Sequence, residues 1–220
     1  MLLLSNPHNP TGVAHAGAAL VAVAAAAARV IADRIHAPLV YADAQFTPDL
    51  RVDGRGFALM SGSKGWNLAG PKAALLFAGP DAVADLGRFP QALSHGPCHL
   101  GVIAHAAAFR DGEPWLKTRL AGLTANRELI AALLAEAPPG GRVPAAAANV
   151  SRLAGLPRRR HRSGSVVLQR ARVAVNPGDA FGPGGTGYVR LNFAASPSIL
   201  REAIRRMGHA VNGRAELDAA

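Results

Sequence analysis

Apolar residues fall in short runs punctuated by glycine, proline and aspartate, the pattern of a chain that alternates buried strands with helices. Residues 2–4, three leucines, run into Ser5-Asn6-Pro7 and read as a short buried strand ending in a turn. Residues 16–29 are mostly alanine, valine and leucine. Alanine's helix propensity makes them a helix, although one without the polar face of a surface helix. Residues 29–32, closing at Asp33, read as a buried parallel strand. Further extended segments are expected at 39–42, 56–60 and 73–78, and helices at 81–86, 100–110 and 113–137. The last of these has Pro114 at its start, where a missing N–H costs nothing. Pro138-Pro139-Gly140-Gly141 ends it and marks a boundary between a larger domain, 1–137, and a smaller one, 138–220. Beyond the boundary, 166–175 and 188–193 read as strands and 197–207 as the final helix. The alternation predicts an α/β fold with a mostly parallel sheet between helices, followed by a small C-terminal α/β domain.

Composition narrows the function classes. The chain has 220 residues, half of them apolar, so it can bury a core. The formal charge of +10 reflects an arginine-biased composition. The arginines are not interleaved with stacking aromatics, so nucleic acid is not an expected partner; a basic binding module remains as an alternative resting on charge alone. The single cysteine, Cys98, excludes a disulfide framework and reads as a small buried apolar residue. His95, His99 and His105 lack the spacing and acidic partners of a metal site, and His99 and His105 read as helix residues near or inside the core. The start has no basic segment and is too short for a signal peptide, and the alanine-rich stretch 16–32 carries Gly17 and Arg29. No membrane association is expected, and a cytoplasmic location is.

Four chemical features follow one another in order: Asn6-Pro7-His8-Asn9-Pro10-Thr11-Gly12; Asp33-Arg34-Ile35-His36; Ser61-Gly62-Ser63-Lys64-Gly65-Trp66-Asn67-Leu68-Ala69-Gly70; and Gly187-Tyr188-Val189-Arg190-Leu191-Asn192-Phe193. Each alone has an ordinary reading: a turn, a helix cap, a glycine-rich loop, a solvent-facing arginine. Together they resemble the class I/II aminotransferase superfamily, the fold-type-I pyridoxal-phosphate enzymes. Within it they look most like the cystathionine β-lyase-like C–S lyases. The Asn-Pro-His-Asn-Pro-Thr-Gly run, the Ile-His pair after the aspartate and Ser-Lys-x-x-Asn-Leu-Ala-Gly carry the closer match.

The resemblance implies pyridoxal 5′-phosphate as cofactor and a role for each matching residue. Lys64 would form the Schiff base and shuttle the proton. Asp33 would keep the pyridine nitrogen protonated, making the ring an electron sink. Asn9 and His36 would sit near the 3′-oxygen. Ser61, Ser63 and Lys72 would contact the phosphate. Arg190 would clamp the substrate carboxylate with its planar fork. The implied reaction is α,β-elimination from an amino acid with a β-thiol leaving group, giving pyruvate, ammonia and a thiol. Transamination is the alternative on the same residues, and an inactive remnant is a third reading. A homodimer acting on a small amino acid is implied. Trp66 reads as packing rather than chemistry. Family members carry a substantial portion before the Asn-Pro-Thr-Gly motif, and none of it precedes the motif here, which reads as N-terminal truncation. Arg34 stands where the family usually has glutamate, which suggests relaxed constraint. Residues 149–165, with Arg158-Arg159-Arg160, depart from the family pattern; they read as a solvated basic loop, and a local shift of reading frame would account for them.

Overall fold

The computed structural model describes residues 1–27, 29–136, 147–155 and 163–212. The expected boundary at 138–141 and the arginine run at 158–160 lie outside the described residues. The chain divides into two compact units, Met1–Leu120 with Ala147–Asn149, and Ala121–Ala146 with Val150–Ala220.

The first unit is built on a four-stranded sheet of β1 (Leu2–Ser5), β2 (Val30–Asp33), β3 (Phe57–Met60) and β4 (Leu75–Ala78), in that spatial order. The first three strands are parallel and β4 runs antiparallel to β3. Helix α1 (Gly17–Ala26) connects β1 to β2, as a parallel pair requires. The alanines give it its helicity, and it buries Leu20. The one-turn α2 (Gly62–Gly65) follows β3 directly; α3 (Val83–Leu86), α4 (His99–Asp111) and α5 (Glu113–Glu136) come after β4. The break between units falls inside α5, at Leu120–Ala121.

Register positions the chemistry. Ser5, Asp33 and Leu59 lie side by side across β1, β2 and β3. Asn6, Arg34 and Ser61 therefore leave the sheet along one carboxyl edge, where open α/β sheets hold their ligands. Val30, Ala32, Phe57 and Ala58 are buried beneath this edge. The outer strands are less covered: Leu3 is 73% exposed and Leu75 49%. The expected strand at 39–42 is instead a 3-10 turn, Ala37–Leu39, with Pro38 in its first turn, followed by a single bridge from Val40 to Ala148.

The second unit holds an antiparallel sheet of β5 (Ser151–Gly155), β7 (Tyr188–Asn192) and β6 (Asn176–Pro177), in the order β5-β7-β6, and helix α7 (Pro197–Asn212). Leu200, Ile204 and Met207 recur at helical spacing on α7 and are buried, as are Val189 and Leu191 of β7. Asn126, on the part of α5 belonging to this unit, donates from Nδ2 to the carbonyls of Phe193 and Ala195, both at 2.9 Å. Two expectations fail here. The strand expected at 166–175 does not form: α6 (Ser163–Val166) continues into a π turn, Val167–Ala171, which buries Val167 and Ala171 four residues apart, and 172–175 is irregular. The basic loop expected from 149 contains β5, whose five residues all pair with β7.

Candidate active site

The lysine loop is shaped by its ends. Ser61 is extended and caps α2, its Oγ accepting the Ser63 N–H at 3.2 Å. The antiparallel pairing of β3 and β4 returns the chain beside it, and the Ser61 hydroxyl donates to the Ala73 carbonyl at 2.7 Å. Between these posts the loop lines an open cleft of about 580 Å³, shared by Ile35, Ser61, Ser63, Lys64, Lys72 and Leu93 among others. Ser61 is buried, Ser63 and Lys64 are half-buried, and Lys72 is exposed. The structure thus gathers the four residues expected at the lysine and phosphate end. Two cations and two hydroxyls line this cleft with no carboxylate among the described lining residues, a donor set suited to a dianion.

The remaining expected residues lie along the carboxyl edge or in the other unit. Asp33 ends β2 and is exposed; its Oδ1 accepts the Ile35 N–H at 2.9 Å. His36 is buried at the start of the 3-10 turn. Asn9 is half-buried in the loop after β1, and its Oδ1 is buried without a hydrogen-bond partner. Arg190 lies on β7 in the second unit, its Nη2 donating to Asn176 Oδ1 at 2.8 Å and its guanidinium lying 4.8 Å from the Phe181 ring centre. Trp66 packs, as expected: it stacks edge-on against Phe109 at 4.9 Å and donates to the Gly112 carbonyl. His99 and Cys98 do not go inside. Both are exposed at the start of α4, because the face of α4 that packs inward carries Gly101 and His105.

Three supporting groups escape sequence reading. Asn6, fully buried, accepts the His15 N–H and donates to Asp49 Oδ1 at 3.1 Å. The same aspartate takes Arg34 Nε at 2.7 Å in a buried ion pair. Arg34 is therefore matched by Asp49 within the fold. Arg119 donates from Nη1 to the carbonyls of Lys64 and Gly65, both at 2.7 Å, fixing the end of α2. Partial burial pushes its guanidinium below the usual arginine value. His8 bonds through Nδ1 to Thr11 Oγ1 at 2.8 Å; burial, with a smaller push from His15, lowers its pKa from the ordinary 6.5. The sequence signals for these groups were that Asn6 and His8 lie inside the Asn-Pro motif and Arg34 inside the Asp-Arg-Ile-His run.

A mostly parallel sheet with a lysine loop at its carboxyl edge, together with a small α/β unit, is the fold of the type-I pyridoxal-phosphate transferases, and solved structures of that fold superpose on the chain. One, from Corynebacterium diphtheriae and provisionally described as a PLP-dependent β-cystathionase, matches at a TM-score of 0.86 with 34% identity, over 96% of this chain and 58% of its own. An aspartate aminotransferase from Rhodobacter sphaeroides matches at 0.84 with 26% identity, over 96% and 57%. The aminotransferase class I and II family profile matches residues 1–207, and the chain belongs to that family. A relative from Mycobacterium leprae, provisionally named a cystathionine β-lyase, is 47% identical over 95% of this chain and 57% of its own length. The chain therefore spans under three fifths of the length of these relatives.

The family's cofactor is pyridoxal 5′-phosphate. The residues present fit it. Asn9 carries an orphaned buried amide oxygen, and an amide whose two ends are exchangeable by a flip can turn its N–H outward to a phenolate-like oxygen. The cleft offers an amine and a second cation for an aldehyde bearing a phosphate.

Proposed function

We propose that this chain serves pyridoxal-phosphate-dependent α,β-elimination from a sulfur-bearing amino acid of the cystathionine type. The observation that carries the reading is the cleft where Ser63, Lys64 and Lys72 converge, in a chain whose relatives include proteins named for this reaction. When bound, the cofactor supplies an electron sink next to the substrate α-carbon. Lys64 Nζ would be the covalent anchor for the cofactor aldehyde and, as a free amine, the base for the α-proton. The Asp33 carboxylate would hold a proton on the ring nitrogen, and Asn9 and His36 would sit near the 3′-oxygen. Ser61, Ser63 and Lys72 hold the phosphate, and Arg190 holds the substrate carboxylate. Loss of the α-proton is followed by rupture of the Cβ–S bond; the thiol leaves, and hydrolysis of the remainder gives pyruvate and ammonia.

The proposed assembly is a homodimer in the cytoplasm. Among the described residues no helix is long and apolar enough to cross a membrane. Transamination is the second reading, favoured by the match to an aspartate aminotransferase. The test is to supply purified protein with pyridoxal phosphate and L-cystathionine and follow thiol and pyruvate together. Equal release of both supports elimination. Amino transfer that depends on an added 2-oxo acid, without thiol release, would replace it with the second reading.

A further inference from the structure

His105 lies on α4, is 6% exposed, and takes no part in the proposed chemistry. Its Nε2 is 3.1 Å from Ser61 Oγ, and its Nδ1 is 2.8 Å from the Gly101 carbonyl one turn back on the same helix. A carbonyl can only accept, so Nδ1 carries a hydrogen and the ring is held in one orientation, and the one Ser61 hydroxyl hydrogen is shared between the Ala73 carbonyl and Nε2. The ring also packs on the lysine loop: a Cβ placed on Gly62 would come within 3.0 Å of His105 Cδ2. The other arm of the loop meets the same helix. A Cβ on Gly101 would lie 3.0 Å from the Pro71 carbonyl, and the Cys98 N–H donates to the Lys72 carbonyl at 2.8 Å. One face of α4 thus touches both arms of the loop, the Ser61–Gly62 arm through His105 and the Pro71–Lys72 arm through Gly101 and Cys98. The side chains between those arms are the ones that line the cleft.

We propose that His105 is a positioning residue for the phosphate end of the cleft, holding Ser61 and the start of α2 so that Ser61 and Ser63 stand at a fixed spacing from Lys72. The inference rests on the proposed cofactor reading. It makes the His105–Ser61 bond matter for a phosphate-bearing ligand and not for the same ring without its phosphate. Deleting Nε2 leaves Ser61 Oγ held only by Ala73 and Ser63, both within the loop and its return arm, and removes its tie to α4, so the loop shifts where the phosphate binds.

The experiment measures binding of pyridoxal 5′-phosphate and of pyridoxal to the full chain by absorbance and fluorescence, for wild type, His105→Leu and His105→Gln. Leucine should weaken pyridoxal phosphate about tenfold and leave pyridoxal unchanged, and glutamine, whose amide reaches the Nε2 position, should recover most of the loss. Equal weakening of both ligands, no weakening, or no recovery with glutamine would overturn the proposal. Should the leucine variant fail to fold by circular dichroism, the His105 ring nitrogens of wild type, identified by their loss in His105→Gln, are followed by NMR as inorganic phosphate is added. They should move, and unmoved signals would overturn it. A wild-type chain that binds neither pyridoxal compound would defeat the cofactor reading itself, a result distinct from wild type binding and His105→Leu binding equally well.

Discussion

Asp49→Asn removes one charge from a buried pair and little else. Asp49 Oδ2 takes Arg34 Nε at 2.7 Å, with side-chain exposures of 8% and 11%, and Asp49 Oδ1 takes the amide of fully buried Asn6 at 3.1 Å. Asparagine keeps the shape and can still accept from one neighbour. What it cannot do is neutralise Arg34, whose Nη2 is already buried without a hydrogen-bond partner. At an effective dielectric near 20, two charges this close attract by roughly 4–6 kcal/mol, and desolvation consumes much of that. Removing one partner leaves the guanidinium buried and uncompensated, at a cost of about 3–5 kcal/mol. Domains are stable by about 5–15 kcal/mol, so the variant sits near the edge of folding. Urea unfolding followed by far-UV circular dichroism reads the loss directly. The reasoning carries a second requirement: Arg34→Met combined with Asp49→Asn, which removes both charges and still leaves an acceptor for the buried Asn6 amide, should recover most of the stability that the single variant loses. A single Asp49→Asn cost under about 1 kcal/mol, or a double variant as unstable as the single, would refute the picture of a mutually dependent buried pair.

Lys64→Ala should abolish covalent retention of pyridoxal phosphate, measured as loss of the bound chromophore after borohydride reduction and dialysis; retention in the variant would move the anchor to another lysine. Arg119→Met should destabilise the first unit by about 2 kcal/mol, because two charge-assisted bonds to the Lys64 and Gly65 carbonyls vanish; amide exchange at Gly65 and Trp66 should quicken. His8 has its pKa lowered in the fold from the ordinary 6.5. The unfolded chain then binds the proton first, so stability is flat above 6.5, falls as pH drops through it, and levels off below the folded value. His8→Gln should flatten that component of the urea midpoint between about pH 8 and about pH 5.

The lysine loop was legible because its signal is local: a capping serine, a lysine three residues on and a second cation on the return strand lie within one short stretch. The parallel strands were legible because Val30–Asp33 and Phe57–Met60 are short apolar runs that end at chemistry. His105 and Arg119 were not, because their partners lie 44 and 55 residues away, and two carbonyls and a hydroxyl leave no trace in side-chain patterning. The run 166–175 misled for another reason. A short apolar stretch has no clear period, and only the burial of Val167 and Ala171, four apart, shows that a helical turn won over 167–171. Ser151–Gly155 has poor strand composition, and its partner β7 decided its conformation.

The β3–β4 hairpin works as a ruler. Its register sets Met60 against Leu75, and just beyond that pair the Ser61 hydroxyl meets the Ala73 carbonyl. The distance between the two posts is therefore set by strand pairing, whatever the loop between them contains. Leu68 and Ala69, which line the cleft, sit on that loop. Their identities can drift, or be redesigned, without recalibrating where Lys64 and Lys72 stand. The two posts and the residues between them thus answer to different constraints: strand pairing fixes the first, and only the shape of the cleft bears on the second.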